Sequence, residues 1–324
     1  MPEEPINPLN TWRHEQPGVL RSKWDTYITK EPERAQQFIN DPSLQFPAIF
    51  LLREALDTRD LNLAPRVSIA LAQTRNILHG ADQGLEANLS FPNQHDKVVD
   101  ALSWMLKTGW DSILSTDYTQ VIDQTAIQLL LTYRNDVLKE LTDLIVYRYK
   151  NKSQRHYLIS ALFDSAEPRL LVYLANYLLS EQSAESEFAH RMLGFIPQVR
   201  HAPDYQTAFF AFESWYELNE HYLVYTGETN DAVPGGRPFR IHYSAKYLGK
   251  PVHAANGQPL QAMLTTEKIN YDHFIRLSNR KQLSLSDYSA QLRQLQPATW
   301  RRWINQPIAE QLRSCPIPSG GASA

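Results

Sequence analysis

The 324-residue chain is 43% apolar and 21% charged, ordinary proportions for a water-soluble globular fold, and it is long enough for an elongated body with a smaller appendage. Its 32 Lys and Arg against 35 Asp and Glu leave a formal net charge of −3, which counts against a protein dedicated to nucleic acid. The single cysteine, Cys315, excludes an intrachain disulfide, and no window approaches the ~18 to 20 continuous apolar residues of a membrane span, so a cytoplasmic protein with no membrane contact is expected.

Residues 1–16 read as an extended segment with Trp12 as an anchor. Met1 to Pro17 has no apolar h-region, so no secretory signal is expected. Helical patterning begins at Gly18 and continues to Asn40, with a break at Glu31-Pro32 because a residue before proline avoids the helical region. Phe46 to Leu56 reads as a buried helix, and Pro65 to Leu78 as another with Val67, Ala70, Leu71 and Ile77 inward. Gly80 to His95 is a turn-rich connection, after which Val98, Leu102, Met105 and Leu106 resume the helical period.

From Asp117 to Tyr222 the chain reads as helices of similar length laid down in pairs. Ile122, Ala126, Leu129, Leu130 and Tyr133 mark one face turning at ~3.6 residues per turn. Leu138, Leu141, Leu144 and Ile145 form the next face after the capping pair Asn135-Asp136. Leu171, Leu174 and Leu178 follow the Ser165 to Pro168 entry, Phe188, Met192 and Phe195 follow Ser183 to Glu187, and Tyr205, Phe209, Phe212 and Tyr216 complete the series. A shift of 33 positions lays Ala126, Leu129, Leu130, Leu138, Leu141 and Ile145 onto Ile159, Leu162, Phe163, Leu171, Leu174 and Leu178. Helix pairs that cannot bury their apolar stripe alone stack on neighbours, which predicts an α-solenoid. The pattern resembles the HEAT and armadillo class of helical repeats over roughly a third of the chain. That resemblance implies a shape, an extended helical surface, and carries no catalytic residue.

Beyond Tyr222, Leu223–Thr226 and Phe239–Tyr247 read as strands, and Asn256-Gly257 as a two-residue hairpin turn in which both residues adopt positive φ. Three closing helices are expected at Thr266–Leu277, Ser284–Leu295 and Pro297–Leu312. The fold class is therefore mostly α. Its divisions are an extended segment 1–16, a helical repeat body 17–222, a small β element 223–264, a helical cap 265–313 and a disordered tail 314–324.

Catalytic signatures are weak. Glu187 and His190 share an E-x-x-H spacing, and Glu217 and His221 lie close along a later helix, so facing helices could offer carboxylates and imidazoles to a metal. A second E-x-x-H is absent, and acids on such a helix more often form its solvated face, so no metal or other cofactor is expected. There is no G-x-S-x-G elbow, Cys315 falls in the expected tail, and the Pro234 to Pro238 run lacks the G-K-[ST] ending of a phosphate loop, leaving it an exposed turn.

Charge is divided along the chain. From Lys268 to Arg313 there are eight Lys or Arg against Asp272, Asp287 and Glu310, whereas Ala166 to Tyr222 holds eight acids against Arg169, Arg191 and Arg200. These segments suit intramolecular docking, self-association or an acidic partner. Trp300 and Trp303, at i and i+3 around Arg301-Arg302, combine the residue types that dominate interface hot spots. The plainer reading packs both indoles inward and leaves the arginines wet. The function expected is an interaction or scaffold protein that offers an α-solenoid surface to a protein partner, with Trp300, Arg301, Arg302 and Trp303 as contacts and no enzymatic role assigned. The alternatives are an enzyme or lyase-like subunit with a groove site, using His190, Glu217 and His221, and nucleic-acid binding through the basic closing helices, with an affinity that falls steeply with salt.

Overall fold

The structure is a computed structural model and describes residues 7–15, 17–80, 95–110, 114–134, 136–229 and 235–316. It is mostly α-helical, at 70% helix, with one small antiparallel sheet. The chain divides into two compact units, Met1–Leu144 and Ile145–Ala324.

The first unit contains α1 (Pro8–Glu15), α2 (Leu20–Lys30), α3 (Pro32–Asn40), α4 (Phe46–Asp57), α5 (Pro65–Gly80), α6 (His95–Thr108) and α7 (Thr116–Ile127). The expected extended segment is thus a helix over most of its described length. Asn7 starts it, accepting from the Leu9 amide at 2.9 Å, with Pro8 in the first turn where a missing N–H costs nothing. Asn10 then ties α1 down, donating to Ser43 O at 2.9 Å and accepting from Gln45 N at 3.0 Å. The break at Glu31-Pro32 falls between α2 and α3. Helices pack on partners close in chain order, α2 on α3 and α4, α4 on α5 and α6, and α5 on α6 and α7. At the centre, Phe46 and Phe50 meet the fully buried Tyr118 ring at 5.8 and 4.9 Å, and the Tyr118 hydroxyl donates to Gly109 O at 2.8 Å. A side chain at Gly109 would strike Ile122 and the Met105 carbonyl, so the α6–α7 turn depends on glycine there.

After α7 the helix continues as a five-residue π turn, Gln128–Thr132, where an unbroken α period was expected. Next comes α8 (Leu138–Lys150). The second unit adds α9 (His156–Asp164), α10 (Leu170–Asn176), α11 (Ser183–Leu193), the single turn α12 (Pro197–Arg200) and α13 (Tyr205–Asn219). All twelve residues superposed by the 33-position shift are buried. Asp204 caps α13, accepting from the Thr207 amide at 2.7 Å. In this part of the unit α10 packs on α11 and α13, and α12 bridges α11 and α13.

The sheet pairs β1 (Leu223–Tyr225) with β2 (Phe239–Ile241), in the register Leu223↔Ile241, Val224↔Arg240 and Tyr225↔Phe239. The Asn256-Gly257 turn is closed by a single bridge, Val252↔Pro259, rather than by a full hairpin, and only Gly257 takes positive φ, 72°. The stretch expected as one strand to Tyr247 turns helical at α14 (Tyr243–Leu248), because His242 caps it through Nδ1 and Gly249 ends it at φ 68°. The chain closes with α15 (Thr265–Phe274), α16 (Asn279–Leu295), α17 (Pro297–Trp303) and α18 (Ile308–Ser314). The last two were expected as one helix; Pro307, which cannot donate a backbone hydrogen bond, separates them. Cys315 lies in the core at 6% exposure instead of in a disordered tail, and residues 317–324 of that tail lie outside the described residues. The Gly80–His95 connection, apart from its two ends, and Asn135 and Pro234 also lie outside them.

Candidate interaction surface

Helix α14 is six residues long and almost entirely buried, so its polar groups must find partners inside the protein. Lys246, 1% exposed, donates from Nζ to Asp287 Oδ1 of α16 at 2.6 Å and to Asn219 Oδ1 of α13 at 2.7 Å. Beside it, Tyr247 stacks on Phe274 of α15 with centroids 4.5 Å apart and donates its hydroxyl to Gln311 of α18 at 2.7 Å. Burial pushes the Tyr247 hydroxyl pKa up to about 12. Gln311, fully buried, returns its amide to the carbonyls of Ile304 and Gln306. One buried turn of helix thus fastens α13, α15, α16 and α18 through neighbouring side chains.

The four residues of the Trp-Arg-Arg-Trp run divide by direction. Trp303 is 4% exposed, packs edge-on to Tyr247 and Tyr288, and donates its indole N–H to Ser314 at 2.9 Å, so it is a core residue and not an exposed anchor. Trp300 is half-buried and donates to Ser289 Oγ at 2.8 Å, which in turn donates to Tyr247 O at 2.6 Å. Its ring also carries the Arg293 guanidinium at 5.7 Å, and Arg293 donates to the Tyr222 hydroxyl at 2.6 Å. Gly249 lies against this pair; a Cβ there would sit 2.3 Å from Arg293 Nη1 and 3.2 Å from Trp300 Cζ2. Arg301 and Arg302 face solvent, and neither side chain forms an ion pair or hydrogen bond among the described residues.

Trp300 and Arg301 border a cleft of ≈150 Å³ between α15 and α17. Buried Leu248 and half-buried Trp300 and Ile304 supply its apolar surface, and Leu264, 64% exposed, stands at its edge. Glu267 also lines it, but its carboxylate is engaged: Oε2 accepts from the Leu264 amide at 2.6 Å and pairs with the buried Lys250 ammonium at 3.1 Å. Asn270, another lining residue, donates to Ile304 O at 2.7 Å, holding α15 to the end of α17. The sequence signal for the cleft was the tryptophan-arginine run; its opposite wall, from Leu264 to Asn270, carried no motif.

The metal candidates are not brought together. Glu187 is exposed, His190 bonds the Val199 carbonyl at 3.0 Å, Glu217 accepts from Gln294 at 2.7 Å, and His221 is exposed 3.5 Å from Glu220. Among the described residues no group of three or more His, Cys, Asp or Glu is placed to hold a metal ion. Burial, with the Asp287 charge adding to it, pushes the Cys315 thiol pKa up to about 11, the opposite of what a nucleophilic thiolate requires. Lys246 is held as a hydrogen-bond donor between two oxygens, a clamp between helices.

The fold and this surface define a mostly α-helical protein in which no helix among the described residues is long and apolar enough to cross a membrane. No protein-family model matches the chain, and no curated protein or solved structure matches it either.

Proposed function

We propose that the protein is an interaction or scaffold protein whose helical repeats form an α-solenoid of the HEAT and armadillo kind, with a protein partner received on the closing helices. Packing between helices close in chain order supports the solenoid reading, since such arrays bury each apolar stripe against neighbours. The observation that carries the interaction reading is the placement of Arg301 and Arg302. They are exposed and unpaired among the described residues, on a helix whose other side is fixed by two bonded indoles, next to a cleft lined by both apolar and polar side chains. Ordering each of these flexible side chains costs about 0.5–1.5 kcal/mol, which the planar guanidinium offsets by making two parallel hydrogen bonds to a carboxylate.

The test is affinity enrichment with quantitative mass spectrometry, comparing the wild-type chain with R301E/R302E. Both sites are exposed, so the substitutions leave stability within about 0.5 kcal/mol, which thermal melting checks. A protein partner lost from the variant supports the reading. Identical recovery from both forms refutes it, and selective recovery of nucleic acid would replace it with the nucleic-acid alternative.

A further inference from the structure

We infer that the α15–α17 cleft receives a short acidic segment of the partner, with one apolar side chain seated against Trp300 and a flanking carboxylate on Arg301. This rests on the interaction reading above and names the chemistry of the partner. A space of ≈150 Å³ is the right size for one group. An apolar cavity of roughly that volume holds a single benzene, so a leucine or phenylalanine side chain fits and a folded surface does not enter.

The lining separates the apolar from the charged contact. Leu248, Trp300 and Ile304 present carbon, and Leu264 exposes an edge that a bound aliphatic group would cover. Of the two charged residues at the cleft, Glu267 is already matched by Lys250 and by a backbone amide, whereas Arg301 is unmatched among the described residues. A carboxylate therefore gains a partner there, and a cation meets an unpaired arginine.

The surroundings act in the same direction. The exposed Lys268 and Arg302 are the immediate chain neighbours of the lining residues Glu267 and Arg301. Between Lys268 and Arg313, Asp287 is engaged by Lys246 and Arg293 by Tyr222, and the exposed charged residues of that stretch are predominantly basic. Complementary fields of this kind speed encounter and set orientation, and they weaken with salt.

The probe is a fluorescein-labelled peptide with one leucine flanked on both sides by glutamates in a glycine-serine frame, titrated with the full chain and followed by fluorescence anisotropy. Control peptides replace the leucine by serine or the glutamates by lysines. The expected result is saturable binding of the leucine-glutamate peptide, weakened about tenfold or more in either control, in R301E and in L264E. R301E should also regain affinity for the leucine-lysine peptide, a charge-reversal rescue that a folding defect would not produce. Equal binding of the serine control, equal binding of the lysine control, or no binding up to about 1 mM would each overturn the inference. If the peptide fails while partner enrichment still depends on Arg301 and Arg302, only this assignment falls. Peptide binding with enrichment unaffected would instead sink the functional reading and leave the cleft's specificity standing.

Discussion

The Lys246 ammonium lies 2.6 Å from Asp287 Oδ1, with the lysine side chain 1% exposed and the aspartate side chain 44% exposed, so a buried cation on α14 meets a carboxylate that still reaches water. Removing the carboxylate leaves the ammonium with Asn219 alone. A fully buried orphaned charge costs about 3–5 kcal/mol; water around position 287 softens this, so D287A should lose about 3 kcal/mol or less by urea denaturation. Lys246→Met in the D287A background should recover part of the loss, because an apolar side chain of similar length needs no partner, although the buried Asn219 Oδ1 then loses its donor. No recovery would mean that Asp287 acts through something other than Lys246.

Gly249 provides a second check on the same assembly. Its φ of 68° disfavours any side chain by about 1–2 kcal/mol, and a Cβ would also displace Arg293 from beside Trp300. G249A should therefore lower the melting temperature and alter the near-ultraviolet tryptophan signal. A melting curve identical to wild type would show that the Arg293–Trp300 contact is not the constraint described.

Much of this assembly was visible in the sequence only as pattern. The helical period located the buried faces, from Ile122 and Ala126 to Leu174 and Leu178, because burying one stripe leaves its spacing in the chain. The direction of the two tryptophans was not decidable from spacing: i and i+3 share a face, but whether that face looks inward depends on Tyr247 and Ser289, which are distant in sequence. Lys246 was hidden for a related reason. Its aromatic and β-branched surroundings imitate a strand, and only the His242 cap and the Gly249 stop, local features that outweigh propensity, turn the segment into a helix. For α1 the signal was present in Asn7-Pro8, a cap followed by a first-turn proline, but the proline and acid content around it suggested extended chain.

His242 makes the closing helices sensitive to acid. Its ring caps α14 by accepting from the Ala245 amide at 3.3 Å, and burial, with Arg240 adding to it, lowers its pKa below the usual histidine value. A base whose folded pKa is depressed binds fewer protons folded than unfolded, so its stabilising effect is full above the unfolded pKa of about 6.5 and is lost as pH falls through the lower folded value. Unfolding midpoints measured from pH 7.5 downward should fall more steeply for wild type than for His242→Asn, which keeps a capping oxygen that does not titrate. Parallel profiles would remove His242 from the account.

Cys315 should resist modification in the native protein. At 6% exposure, with its thiol raised to about 11, it has little thiolate at pH 8 and little access. Reaction with a chromogenic disulfide reagent should be slow in buffer and fast in denaturant. Equal rates in the two conditions would place the cysteine outside the core.

The claim on which the functional reading depends is that a protein partner sits at the cleft beside Trp300 and Arg301. Its most direct measurement is photo-cross-linking in cells with a photoreactive amino acid in place of Asn305, an exposed residue of the cleft, and in place of Gln37, an exposed residue of α3. The account expects a discrete protein adduct from position 305, diminished when R301E is added and weak or absent from position 37. An adduct from position 37 with none from position 305 would contradict it.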